Sequence, residues 1–177
     1  MPRTAGELGH YPGFLAFPTR NTLDARVIFT FRPNTHTRMT GPVNILLIED
    51  DSDDVELFMD ALKRNQQAHS IQLLQDGMSA VTYLSETDRC PDVVVMDMNL
   101  PRLHGRDVIR HIRSKSLFDN VPVVVLTTSS ATDDRNYVLS QGATAFIVKP
   151  STLDGLLEMA RQVVAIAEDG RQTLETA

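Results

Sequence analysis

With 177 residues, 42% of them apolar and 23% charged, the chain is long enough to core one domain with an appendage and too short for two ordinary domains. A net charge of −6 argues against a nucleic-acid-binding face, which would show clustered Lys and Arg on the folded domain. A lone cysteine, Cys90, excludes an intramolecular disulfide, and no apolar stretch approaches the roughly 20 residues that span a bilayer. The expectation is a soluble, cytoplasmic protein that engages neither nucleic acid nor membrane.

Residues 1–42 are a basic leader in which Arg3, Arg20, Arg26, Arg32 and Arg38 are set against only Glu7 and Asp24, with five prolines and no helical periodicity. Its charge is +3, against −9 for the remainder. Gly13 to Phe17 are hemmed in by Pro12 and Pro18, so no secretory signal is read there. Two readings stay open: a flexible arm for an acidic partner, or a mis-assigned start with translation beginning at Met39, the latter being preferred. If the leader is present, Val27-Ile28-Phe29-Thr30-Phe31 reads as an edge strand.

From Val43 onward apolar runs alternate with amphipathic segments, the βα rhythm of a parallel sheet with helices on both faces. Strands are predicted at about 43–49, 71–76, 92–97, 121–127 and 144–148, giving one domain over about 43–168 and a polar tail at 169–177. The first helix, from about 53 to 65, puts Val55, Phe58, Met59 and Leu62 on one face, with Ser52 as its cap. Gly77 opens the second helix and Gly105 the third, while the fourth, about 132–141, stops at Gly142. The fifth, about 152–168, buries Leu153, Leu156, Leu157, Ala160, Val164 and Ala167. Right-handed crossovers favour a doubly wound α/β fold of flavodoxin-like strand order 2-1-3-4-5. With so short a tail, no attached output domain is expected.

Four of the apolar runs end on a polar residue: Ile45 to Ile48 on Glu49-Asp50, Val93 to Met96 on Asp97, Val123 to Leu126 on Thr127, and Phe146 to Val148 on Lys149-Pro150. In an open α/β sheet the residues just past the carboxyl ends of the strands line the ligand crevice. The sequence therefore gathers Glu49, Asp50, Asp97, a hydroxyl and an ammonium around one pocket. Three crowded carboxylates repel one another, and a hard divalent cation with oxygen ligands relieves that repulsion, which implies Mg²⁺. Taken singly, Lys149 reads as a solvated lysine, Thr127 as an ordinary strand residue, and Asp51, Asp53 and Asp54 as negative charge at a helix start.

With Asn99-Leu100-Pro101 after Asp97 and Gly142-Ala143 before the last strand, this constellation resembles the receiver domain of two-component response regulators over about residues 43–167. The resemblance implies that Asp97 is the phosphoacceptor and that Asp50 and Asp97 ligate Mg²⁺ directly. It further implies that Asn99 offers its backbone carbonyl and Glu49 acts through water. Thr127 and Lys149 serve the transferred group, Thr127 and Phe146 act as the switch pair, and the Lys149–Pro150 bond is cis. Thr128, bulkier than the Ala or Ser usual there, would restrict the switch; Asn99 and Ser129 bear on phosphoryl lifetime; Ser151 stands where an apolar residue is more usual.

Among receivers, the segments 97–101, 105–108 and 121–129 look most like the single-domain regulators that accompany bacteriophytochrome histidine kinases. The partners implied are a sensor histidine kinase and a second copy of the chain. Met159, Val163 and Ile166 form an adjoining apolar flank of the fifth helix, read as the homodimer surface; the alternative is a broadly buried helix in a monomer. His69, His104 and His111 lack ligand spacing and read as ordinary surface or packing residues. The leading function is phosphoacceptance from a kinase, not enzymic turnover. The other classes weighed are a docking or phosphate-sink module and an aspartyl-phosphate phosphatase, which would want a second carboxylate where Asn99 stands.

Overall fold

A computed structural model describes residues 15–18, 27–31, 41–128 and 132–175, with side chains from 41 to 128 and from 132 to 171. In chain order the elements are β1 (Leu15–Pro18), β2 (Val27–Phe31), β3 (Val43–Ile48), α1 (Ser52–Arg64), β4 (His69–Leu74), α2 (Gly77–Glu86) and β5 (Val93–Asp97). They continue with α3 (Gly105–Arg113), a single 3-10 turn at Ser116–Phe118, β6 (Val123–Thr127), α4 (Thr132–Ser140), β7 (Ala145–Val148) and α5 (Leu153–Glu175).

The sheet order is β1-β2-β4-β3-β5-β6-β7. The five strands from β4 to β7 are parallel and carry the expected 2-1-3-4-5 order. β2 pairs antiparallel with β4, and β1 antiparallel with β2, so the Val27–Phe31 run does join the sheet beside His69–Leu74, but β1 and not this run forms the edge. The second strand of the parallel set begins and ends two residues earlier than predicted, and its end stops short of Asp76 because that residue caps the next helix.

Alternate residues of each parallel strand face opposite layers. Ile45, Leu47, Val93 and Val95 pack with Phe58, Leu62, Ala160 and Val164 of α1 and α5. Leu46, Ile48, Val94 and Met96 pack with Leu84, Ile109 and Val138 of α2, α3 and α4. Burial on both faces explains why these strands read as unbroken apolar runs. Asp51, not Ser52, caps α1: its Oδ1 accepts the amides of Asp53 at 2.8 Å and Asp54 at 3.4 Å, leaving Ser52 as the first helical residue. His104 caps α3 through Nδ1, which accepts the Arg106 amide. Gly142 follows α4 with φ +95°, a left-handed conformation that only glycine adopts without strain.

The last helix departs from expectation in three ways. It runs on to Glu175, past the predicted end near 168. Arg171 secures that extension, donating to the carbonyls of Gly41 and Pro42 and to Asp92, beside the start of β3. Leu153, assigned to the core face, is 51% exposed and is the first residue of the helix. Met159 and Val163, assigned to a partner surface, are 4% and 0% exposed, and Ile166 packs on the same core. Because α5 lies against both α1 and the sheet, its buried arc is wider than one contact face would need. Replacing Met159 with Ala is therefore expected to cost about 2–5 kcal/mol of stability, read as a lowered urea midpoint; an unchanged midpoint would mean that this flank is not core.

Candidate functional site

Four strand ends deliver the crevice. Glu49 follows β3, and its backbone amide donates to the Leu74 carbonyl at 3.0 Å, continuing the sheet by one more bond. Asp97 closes β5, and Thr127 closes β6 with its side chain buried. Lys149 follows β7, and its amide donates to the Thr127 carbonyl at 2.8 Å. That bond ties the lysine's Cα to the neighbouring strand end and aims its side chain across the crevice.

The ammonium of Lys149 contacts three carboxylates. Nζ lies 2.8 Å from Glu49 Oε2, 2.7 Å from Asp54 Oδ2 and 2.9 Å from Asp97 Oδ2. The Lys149–Pro150 bond is trans, not cis; no cis peptide occurs among the described residues. The trans form is the ordinary preference even before proline, and the lysine reaches all three partners from it. Around Asp97, the Asn99 amide donates to Oδ1 at 3.1 Å, and the Gly105 amide donates to the Met98 carbonyl at 3.0 Å, folding the loop back on itself. A Cβ on Gly105 would lie 2.9 Å from both the Asp97 carbonyl oxygen and the Met98 Cα, so only glycine lets α3 begin this close to Asp97.

Burial pushes the Glu49 carboxyl up to about 7, against the pull of Lys149, and the charge on Asp97 pushes the same way. Asp50, exposed beside it, is also raised, first by partial burial and then by Asp97 and Asp51. For Lys149 burial acts downward, yet Asp54, Glu49 and Asp97 together outweigh it and hold the ammonium above its ordinary range. The lysine stays charged, and Glu49 takes a proton far more readily than an ordinary glutamate.

Among the described residues no three His, Cys, Asp or Glu side chains form a ready-made metal cage. Mg²⁺ does not require one, since it keeps several waters and takes one or two carboxylates. Glu49, Asp50 and Asp97 crowd a crevice whose ammonium is already shared with Asp54, and the raised Glu49 and Asp50 carboxyls reflect burial first and then the charge of Asp97. That donor set fits a hard divalent cation.

Glu49, Asp97, Thr127 and Lys149, named from the sequence, thus come together, with Asp50 and Asn99 on the exposed side and Phe146 half-buried against the α3–α4 layer. Ser129 lies outside the described residues. Asp54 was read only as helix-start charge and proves to be part of the cluster. The available signal was its place in the first turn of a helix that starts three residues after Glu49, within reach of any cation in the crevice.

The model of the response regulator receiver domain matches residues 45–161. The chain belongs to the response regulator receiver family. Receivers act as phosphoacceptor signalling modules in phosphorelays rather than as catalytic enzymes. This receiver is 32% identical over 127 residues to the response regulator Rcp1 of Synechocystis sp., covering 69% of this chain and 86% of Rcp1. The mycobacterial response regulators MprA, also similar, are longer, and the chain spans about half of their length.

Among solved structures, the phosphorylated cyanobacterial phytochrome response regulator RcpA superposes with a TM-score of 0.64 at 30% identity, covering 70% of this chain and 91% of RcpA. The Mn²⁺-bound form of Rcp1 gives 0.62 at 31%, covering 69% and 91%. The receiver domain of the Pseudomonas aeruginosa sensor histidine kinase PA1611, with magnesium in its active-site cleft, gives 0.58 at 26%, covering 71% and 99%. Among the described residues of this receiver no helix is long and apolar enough to cross a membrane.

The raised Glu49 pKa has a pH consequence. Between about 4.5 and 7 the folded form holds a proton that the unfolded form has lost, so stability falls as pH rises through that window. With divalent cations chelated, urea unfolding is expected to show this decline, and Glu49→Gln to flatten it. Stability that rises with pH across the same window in the parent would contradict the desolvated carboxyl.

Proposed function

We propose that this receiver takes a phosphoryl group on Asp97 from a sensor histidine kinase with the help of Mg²⁺. The observation that carries the reading is the ammonium of Lys149 held 2.9 Å from Asp97 Oδ2 at the mouth of a carboxylate-lined crevice. A carboxylate oxygen of Asp97 attacks phosphorus, and the bond from phosphorus to the donor's imidazole nitrogen breaks with its electron pair going to that nitrogen. Phosphoryl transfer asks chiefly for positioning and charge compensation, and the crevice supplies both.

When bound, Mg²⁺ would neutralise charge on the transferring group, held by Asp50, Asp97 and the Asn99 carbonyl, with Glu49 acting through water. Lys149 takes one phosphoryl oxygen and orients it. Thr127, buried at the end of β6, is the hydroxyl that turns toward the new acceptor oxygens, and Phe146 on β7 adjusts with it.

The cognate kinase we infer is a bacteriophytochrome, a reading supported by the likeness to Rcp1 and RcpA. We read the setting as cytoplasmic. A homodimer remains our reading, with its surface moved: Leu139, Val148 and Leu153 are the exposed apolar residues of the α4–β7–α5 face, whereas Met159 and Val163 are core.

Incubation with Mg²⁺ and acetyl phosphate is expected to add one phosphoryl group to the parent, seen as intact mass, and none to Asp97→Asn. Chelation of Mg²⁺ should abolish the adduct. A folded parent that gains no phosphoryl group and does not bind beryllofluoride would instead be a phosphorylation-independent docking module.

A further inference from the structure

We propose that Asp54 is a positioning residue that holds the third N–H of Lys149 in the unphosphorylated state and yields it to the incoming phosphoryl group. The proposal rests on Asp97 being the acceptor. A lysine ammonium has three donors, and here three carboxylates at 2.7 to 2.9 Å take them all. A phosphoryl oxygen arriving at Asp97 needs one of those donors, so one existing bond must open.

The three bonds are not equally easy to open. The side chains of Glu49 and Asp97 are 4% and 12% exposed, and either of them left without its cation would be a buried, uncompensated charge. Asp54 is 35% exposed and rehydrates when released. It also reaches the ammonium from the first turn of α1, a different element from the strand ends, and capping by Asp51 fixes the start of that helix. Asp54 therefore keeps Lys149 in place while no phosphoryl group is present, and it competes with that group once it arrives.

Competition has a thermodynamic sign. Removing Asp54 should favour the phosphoryl-bound state, because Lys149 then turns to the ligand without first breaking a bond. Binding of beryllofluoride in the presence of Mg²⁺, titrated by fluorine NMR, is expected to be about fivefold tighter for Asp54→Ala than for the parent.

Asp53→Ala is the control, since it removes the same charge from the same exposed turn, and its affinity should stay within twofold or so of the parent. Asp54→Asn, which keeps an oxygen acceptor but not its charge, should fall between parent and Asp54→Ala, and it stands in should the alanine variant not fold. Equal shifts for Asp53→Ala and Asp54→Ala would reduce the effect to general electrostatics and overturn the proposal. Unchanged or weaker binding by folded Asp54→Ala or Asp54→Asn would overturn it too. A parent that binds no beryllofluoride would sink the acceptor reading itself, an outcome distinct from either.

Discussion

Everything at the crevice depends on a single ammonium placed among carboxylates that would otherwise drive one another apart. Glu49, Asp54 and Asp97 come from three separate elements, the end of β3, the first turn of α1 and the end of β5, and Lys149 is the one charge that all three share. Like charges this close are tolerable only with a cation between them, since their repulsion grows as the surroundings become less polar. The arrangement is poised rather than relaxed. It leaves Glu49 half inclined to take a proton, and it welcomes added positive charge.

Such a cluster survives only on a rigid base, and the sheet provides it. The central strands are buried on both faces, so that Ile48 and Met96, the residues just before Glu49 and Asp97, are fully covered. A carboxylate one residue beyond such an anchor has little freedom in where its Cα lies. The Lys149 amide bonded to the Thr127 carbonyl extends the β6–β7 ladder by one more link, and Gly105 admits α3 against the back of Asp97. At the opposite end of the sheet Arg171 binds Gly41, Pro42 and Asp92, clamping α5 to the loops that feed β3 and β5.

The parts of this design that the sequence disclosed share a feature: each is written in a run of neighbouring residues. Apolar runs ending on Glu49, Asp97, Thr127 and Lys149 are local patterns, and the sheet order follows from general rules of handedness. What stayed hidden depends on contacts between distant segments. Asp54 meets Lys149 across 95 residues of chain, and nothing next to it separates a crevice carboxylate from a helix-start one. Met159 and Val163 looked like a spare face because periodicity shows which residues of α5 are apolar, not how many neighbours surround the helix. Ser52 and Asp51 are equally good caps by type, and a one-residue choice between them falls within the ordinary uncertainty of helix ends.

The described fold is also unevenly anchored, and the unevenness points away from the crevice toward one corner. Helix α3 buries Val108, Ile109 and Ile112, whereas α4 buries Val138 alone. Strand β7 is the edge of the sheet and is only half-covered along its length, with Val148 exposed. Few buried apolar contacts make for low local stability, so the α4–β7 corner is where a modest energy input at the crevice is most readily turned into movement. Its link back to α3, which begins beside Asp97, runs through polar contacts. Arg106, one residue into α3, pairs with Asp134 at 2.7 Å and lies over the Tyr137 ring at 4.3 Å. Contacts of that kind rearrange at smaller cost than a packed apolar layer. Among the described residues the strand ends that hold the charges are thus backed by the fullest burial, and the α4–β7 corner, which carries Phe146 and lies beside Thr127, by the least.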